Sequence, residues 1–149
     1  MMDIEFPTEI LGEKMPSLNH SYICVQILRQ LLQNDSLQPM TELTLNIGKG
    51  ITPDICVYPK EKIRPNFFRD IGKFQEMPLL AIEIISPTQN IQELLEKASN
   101  LVDSGVKSVW TVEPYTRTVF VTTESGEELC REQELEADGI RVDFGDVFK

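Results

Sequence analysis

Leu79-Leu80-Ala81-Ile82-Glu83-Ile84-Ile85-Ser86-Pro87-Thr88 is the stretch on which the reading of this chain turns. Its first seven residues are apolar except for one glutamate. Such near-continuous apolarity suits a central strand covered on both faces, because a half-buried strand would alternate apolar with polar residues. Side chains alternate along a strand, so Leu79, Ala81, Glu83 and Ile85 share one face. Glu83 is the anomaly. An ionised carboxylate in so apolar a strand is costly unless a cation or hydrogen-bond donors meet it.

On the C-terminal side of this strand, Asn90 is a plausible N-cap, with Glu93 at capping-box spacing. Leu94, Leu95, Ala98, Leu101 and Val102 then continue a helix as far as Gly105, a good residue for a helix end. Lys107 to Val112 is a second apolar strand. A helix separates it from the first, so the two are expected to run parallel as a right-handed βαβ crossover. Thr118 to Thr122 follows a Glu113-Pro114-Tyr115 turn, Ser125-Gly126 turns the chain again, and Glu128 to Phe148 reads as shorter terminal strands. Trp110 reads as core packing.

On the N-terminal side, Pro59 to Pro78 is polar, basic and bounded by prolines. It reads as a loop with a helical turn near Phe67 to Phe74. Before it, Thr41 to Ile47 and Pro53 to Tyr58 read as a β-hairpin turned by Gly48 and Gly50. Leu18, Tyr22, Val25, Leu28, Leu31 and Leu32 recur at helical spacing from Ser17, a plausible N-cap, to about Gln33, with Asn34-Asp35 at the exit. The order α-β-β-β-α-β-β is that of an α/β fold with a mixed sheet flanked by helices. With no repeat or linker, residues 1–149 are expected to form a single domain.

The bulk properties fit. At 149 residues, 41% hydrophobic and 26% charged, the chain can build a core, and no apolar run is long enough to span a bilayer. Met1 to Glu13 lacks the basic-then-apolar plan of a secretion signal. Cys24, Cys56 and Cys130 are odd in number and widely spaced, which fits reduced thiols in a cytoplasmic protein rather than disulfides or a zinc site. The net charge of −10 counts against a nucleic-acid partner, since phosphate binding leaves a basic footprint. The charge is uneven, however. Between Lys49 and Lys73 the bases Lys49, Lys60, Lys62, Arg64, Arg69 and Lys73 outnumber the acids Asp54, Glu61 and Asp70, whereas Glu124 to Glu136 is crowded with glutamates. The Lys60 to Lys73 segment reads as a solvated loop before a surface that tracks phosphates.

Asp54 repeats the oddity of Glu83, standing in Pro53-Asp54-Ile55-Cys56-Val57-Tyr58 among apolar and aromatic residues. Taken alone it is a common turn dipeptide. Paired with Glu83 on a neighbouring strand it forms a set suited to a hard divalent ion, since Mg²⁺ usually takes one or two carboxylates and keeps several waters.

Pro53-Asp54, Glu83-Ile84-Ile85-Ser86-Pro87-Thr88, Lys97, Gly105-Val106 and Val109-Trp110-Thr111-Val112-Glu113-Pro114 occur in this order. From about Leu18 to the C-terminus the pattern resembles a branch of the restriction-endonuclease-like, or PD-(D/E)xK, nuclease superfamily. That branch consists of small uncharacterised proteins, much expanded in cyanobacteria. The resemblance implies a restriction-endonuclease-like mixed sheet and metal-dependent hydrolysis of phosphodiester bonds, in DNA before RNA. It implies Mg²⁺ or Mn²⁺ held by Asp54, Glu83 and the backbone carbonyl of Ile84, with Lys97 as the catalytic lysine. His20 and Glu42 are weaker candidates for a second metal or a proton relay. Two departures stand out: Ile85 occupies the place where the superfamily has its lysine, and Leu101 stands where the branch often has tyrosine. Nucleases of this fold often pair to cut two strands, so the resemblance leaves room for a homodimer.

Blander readings stand beside these. Glu83 reads also as a structural carboxylate meeting a buried base, and Lys97 as the surface partner of Glu93 one turn earlier. His20 reads as a polar position on an amphipathic helix. For the whole chain, the alternatives are a nuclease-fold binding or regulatory module without turnover, and an interaction protein whose acidic tail engages a basic partner.

Overall fold

The computed structural model describes residues 15–149. In chain order the elements are α1 (Leu18–Leu31), β1 (Leu37–Thr41), β2 (Ile55–Pro59), β3 (Leu80–Ile84), α2 (Ile91–Asp103), β4 (Ser108–Glu113), β5 (Thr118–Thr123), β6 (Gly126–Arg131), β7 (Glu134–Ala137), β8 (Ile140–Asp143) and α3 (Phe144–Val147). The first six strands form one sheet in the order β1-β2-β3-β4-β5-β6, and β7 pairs with β8 in a two-stranded ribbon. Only β3 and β4 are parallel, joined through α2; every other pair is antiparallel. The expected mixed α/β sheet is therefore present.

Every residue of β3 is buried, as the apolar run requires. Its side chains divide between two cores. Leu80, Ile82 and Ile84 pack on the side of α1, with Ile23, Ile27 and Leu31 and with Phe144 and Val147 of α3. Ala81 faces the other side, with Cys56, Tyr58, Val109 and the α2 residues Ala98 and Leu101. Glu83 therefore falls on the α2 face.

Each helix is fixed by its ends. The Ser17 side chain accepts from the His20 N–H, and that of Asn90 accepts from the Gln92 N–H. At the far end of α2, Gly105 has φ +113°, and its N–H meets the carbonyl of Val102 while the Val106 N–H meets that of Leu101. These two bonds form a Schellman closure, which favours glycine at its left-handed position.

Four expectations need correction. The buried face of α1 carries His20, Ile23, Ile27 and Leu31, whereas Leu18, Tyr22, Val25 and Leu32 are exposed. Two apolar stripes interleave on this helix, and the inward one is the stripe that includes the histidine. The strand paired with β2 is Leu37–Thr41, not Thr41 to Ile47. Its Pro39 is tolerated because β1 is a sheet edge. Residues 43–52 instead form a tight excursion, closed by a bridge between Leu45 and Ile51. The helical turn of the long loop falls at Lys60–Lys62 rather than near Phe67. Finally, the C-terminal segment ends in α3 rather than a strand, with the Asp143 side chain accepting from the Gly145 N–H.

Candidate metal centre

Register brings the two carboxylates together. Ile55 pairs with Ile82 in the antiparallel β2–β3 ladder, and continuing that register sets Asp54 level with Glu83. Both are almost completely buried, at 3% and 1% exposure. The Ile84 N–H donates to Asp54 Oδ2 at 2.7 Å, so the backbone of β3 orients the carboxylate of its neighbour. Charge-assisted bonds of this kind are among the stronger ones in proteins.

Lys97 reaches Glu83 from α2. Its Nζ donates to Glu83 Oε1 at 2.9 Å, and the lysine side chain retains 29% exposure. Leu94, Ala98 and Leu101 form the buried stripe of α2. Lys97, one turn after Leu94, lies beside that stripe and is drawn to the sheet rather than to Glu93. The expected lysine thus meets the expected glutamate across fourteen positions of sequence.

His20 joins from α1. Its Nε2 lies 3.1 Å from Asp54 Oδ2, an ion-pair distance that is off-axis for a hydrogen bond. Nδ1 lies 3.9 Å from Cys24 Sγ. Glu42 enters differently. It is solvent-exposed with φ +49°, and its backbone N–H donates to the Asp54 carbonyl at 3.1 Å.

Two neighbours escaped the sequence reading as site residues. Thr111 of β4 pairs in register with Glu83 and is fully buried, and its Oγ1 has no hydrogen-bond partner among the described residues. A hydroxyl inside the apolar run Val109 to Val112 was the available signal. Cys56 is fully buried on the same face. Burial and then the Glu83 charge push its thiol up from 9.0 to about 12, with Lys97 opposing.

The donor set suits a hard cation. Two buried carboxylates on adjacent strands are oxygen donors of the kind that Mg²⁺ or Mn²⁺ takes. Among the described residues no cluster of three or more His, Cys, Asp or Glu side chains could hold a metal.

Comparisons with known proteins agree with this architecture. The chain is similar to the crystal structure of a "putative nuclease belonging to DUF820" from Anabaena variabilis, with a TM-score of 0.74 and 24% sequence identity. The match covers 91% of this chain and 83% of that one, and it establishes the shared fold. No curated protein matches the chain. A family model described as "Putative restriction endonuclease" matches residues 2–148, almost the whole sequence, and the chain accordingly belongs to the Uma2 family.

Proposed function

We propose that the protein is a metal-dependent endonuclease hydrolysing phosphodiester bonds, with DNA as the first substrate to test. Asp54, Glu83 and the Ile84 carbonyl would hold Mg²⁺ or Mn²⁺. The observation that carries the reading is the meeting of two buried carboxylates on adjacent strands with a lysine 2.9 Å from one of them.

A divalent ion in such a set supplies Lewis-acid activation of the phosphate and of a water molecule. The chain's own groups supply the rest. The Ile84 N–H and His20 fix the rotamer of Asp54, so the ligand arrangement is set before substrate arrives. Lys97 has three N–H donors and gives one to Glu83. The others remain to orient the attacking water and to offset charge growing on the phosphoryl oxygens. Its partial exposure lets solvent and substrate reach it.

The net charge of −10 favours a second reading, a nuclease-fold binding module without turnover. One experiment separates them. Mn²⁺ and Mg²⁺ are titrated by calorimetry into wild type and the Asp54→Ala/Glu83→Ala double variant, and each protein is incubated with plasmid and single-stranded DNA. Binding and cleavage by wild type alone establish the nuclease. Metal binding without cleavage favours the silent module or a missing partner or substrate. Binding that survives the double variant removes the carboxylate site.

A further inference from the structure

We propose that the loop between β2 and β3 binds unpaired nucleobases, holding single-stranded nucleic acid for the carboxylate pair. The inference rests on the phosphodiesterase reading above and names its substrate class.

Phe67 and Phe68 are 95% and 98% exposed. Burying an aromatic ring is among the larger stabilising contributions a side chain makes, so two adjacent rings left in solvent mark a surface that meets something else. The backbone holds them out by design of the turn: Asn66 Oδ1 accepts from the Phe68 N–H at 3.0 Å, and the Arg69 N–H meets the Asn66 carbonyl at 3.2 Å. Behind Phe67 lies a cleft of ≈ 320 Å³ walled by Met40, Leu43, Ile63, Pro65, Ile71 and Phe74, with Arg64, Arg69 and Asp70 also on its lining.

Charge selects the occupant. Within a chain of net charge −10, this loop carries Lys60, Lys62, Arg64, Arg69 and Lys73 against Glu61, Asp70 and Glu76. All five bases are exposed, and none forms an ion pair among the described residues. Cations interleaved with free aromatic faces suit a polyanion whose bases are open to stacking. A duplex hides those faces. A second copy docking the same patch by two-fold symmetry would set like charges against each other.

The cleft also shares a chain segment with the site. Leu43 forms part of the cleft wall, and Glu42 beside it donates its N–H to the Asp54 carbonyl. A strand whose base rests on Phe67 would reach the carboxylate pair along this segment.

The test measures fluorescence anisotropy of labelled oligothymidylate, oligouridylate and a blunt DNA duplex in EDTA, with wild type, Phe67→Ala/Phe68→Ala, Arg64→Gln/Arg69→Gln and Asp54→Ala. We expect wild type and Asp54→Ala to bind the single strands alike and more tightly than the duplex. Loss of both rings weakens single-strand binding about tenfold, within the range for base stacking on an aromatic. Loss of both arginines flattens the salt dependence, by about 0.7 in log–log slope for each phosphate contact removed. The exposed positions predict unchanged thermal melting, and the arginine pair keeps the idea testable should the phenylalanine pair misfold. Preference between the two homopolymers assigns the sugar and supports the site either way. The inference is overturned if wild type ignores single strands, if the phenylalanine pair binds like wild type, or if it changes the sedimentation coefficient by splitting a dimer. Cleavage with Mg²⁺, run in parallel, distinguishes these failures from failure of the nuclease reading, which would appear as no hydrolysis despite intact binding.

Discussion

His20 Nε2 lies 3.1 Å from Asp54 Oδ2, with the two side chains 6% and 1% exposed. The contact ties the first helix to the start of β2 and brings the ring to the same Asp54 oxygen that accepts from the Ile84 N–H. A group that orients a metal ligand typically changes affinity or activity by about 10- to 100-fold when removed. We therefore predict that His20→Gln weakens Mn²⁺ binding and cleavage by about tenfold or more, read by calorimetry and by plasmid nicking. Metal binding unchanged in a folded variant would make His20 a packing residue.

Lys97 is predicted to couple energetically to Glu83. Removing one member of a buried pair leaves the other charged without its partner, at a cost of about 3–5 kcal/mol in a dry interior. Lys97 keeps 29% exposure, so solvent screening should reduce the cost to about 1–2 kcal/mol for Lys97→Met. The Glu83→Gln/Lys97→Met pair should recover much of that loss, because neither charge remains. Urea denaturation of the four proteins of the cycle measures the coupling. Activity should stay absent in the recovered double variant. Recovery of both stability and activity would reduce the pair to architecture.

Much of this site was legible because its residues break their local pattern. Glu83 inside Leu79 to Ile85 and Asp54 before Ile55 to Tyr58 are polar where the fold demands apolar residues, and they lie at matching ends of adjacent strands. Lys97 was less legible from its helix alone, where Glu93 offered a conventional partner; the Glu83 contact depends on how α2 packs across the sheet. The long loop hid its turn because the Asn66 and Lys60–Lys62 geometries depend on single side-chain and backbone bonds. His20 was undervalued for a related reason. The exposed stripe Leu18, Tyr22, Val25 looked like the core face, and only the packing of Ile23, Ile27 and Leu31 turns the histidine inward.

Metal should stabilise the fold through these carboxylates. A ligand that binds only the folded chain adds RT ln(1 + [L]/Kd), about 2.7 kcal/mol at a hundredfold excess over Kd. Thermal melting with saturating MgCl₂ or MnCl₂ should therefore rise for wild type and stay flat for Asp54→Asn/Glu83→Gln. An equal rise in both proteins would indicate ions bound elsewhere, for example along the glutamate-rich Glu124 to Glu136 segment.

Cys56 makes the fold sensitive to alkali. Its thiol is pushed up to about 12 from 9.0 by burial and then by Glu83, so the folded chain keeps a proton that an unfolded thiol loses near 9.0. Between those values the native state binds more protons than the unfolded one. Stability is therefore complete below about pH 9 and falls as pH rises, by about 1.4 kcal/mol for each pH unit. Tyr58, also raised from 10.0 chiefly by burial, acts in the same direction at higher pH. Denaturant melts at about pH 8 and pH 10 should show Cys56→Ala losing roughly 1 kcal/mol less than wild type over that interval. The same burial makes Cys56 inert towards iodoacetamide at about pH 8, whereas the less buried Cys24 should be modified first. Mass mapping that finds Cys56 alkylated in the native protein would mean that the α2 face opens, and the alkaline loss of stability would then be shallower than predicted.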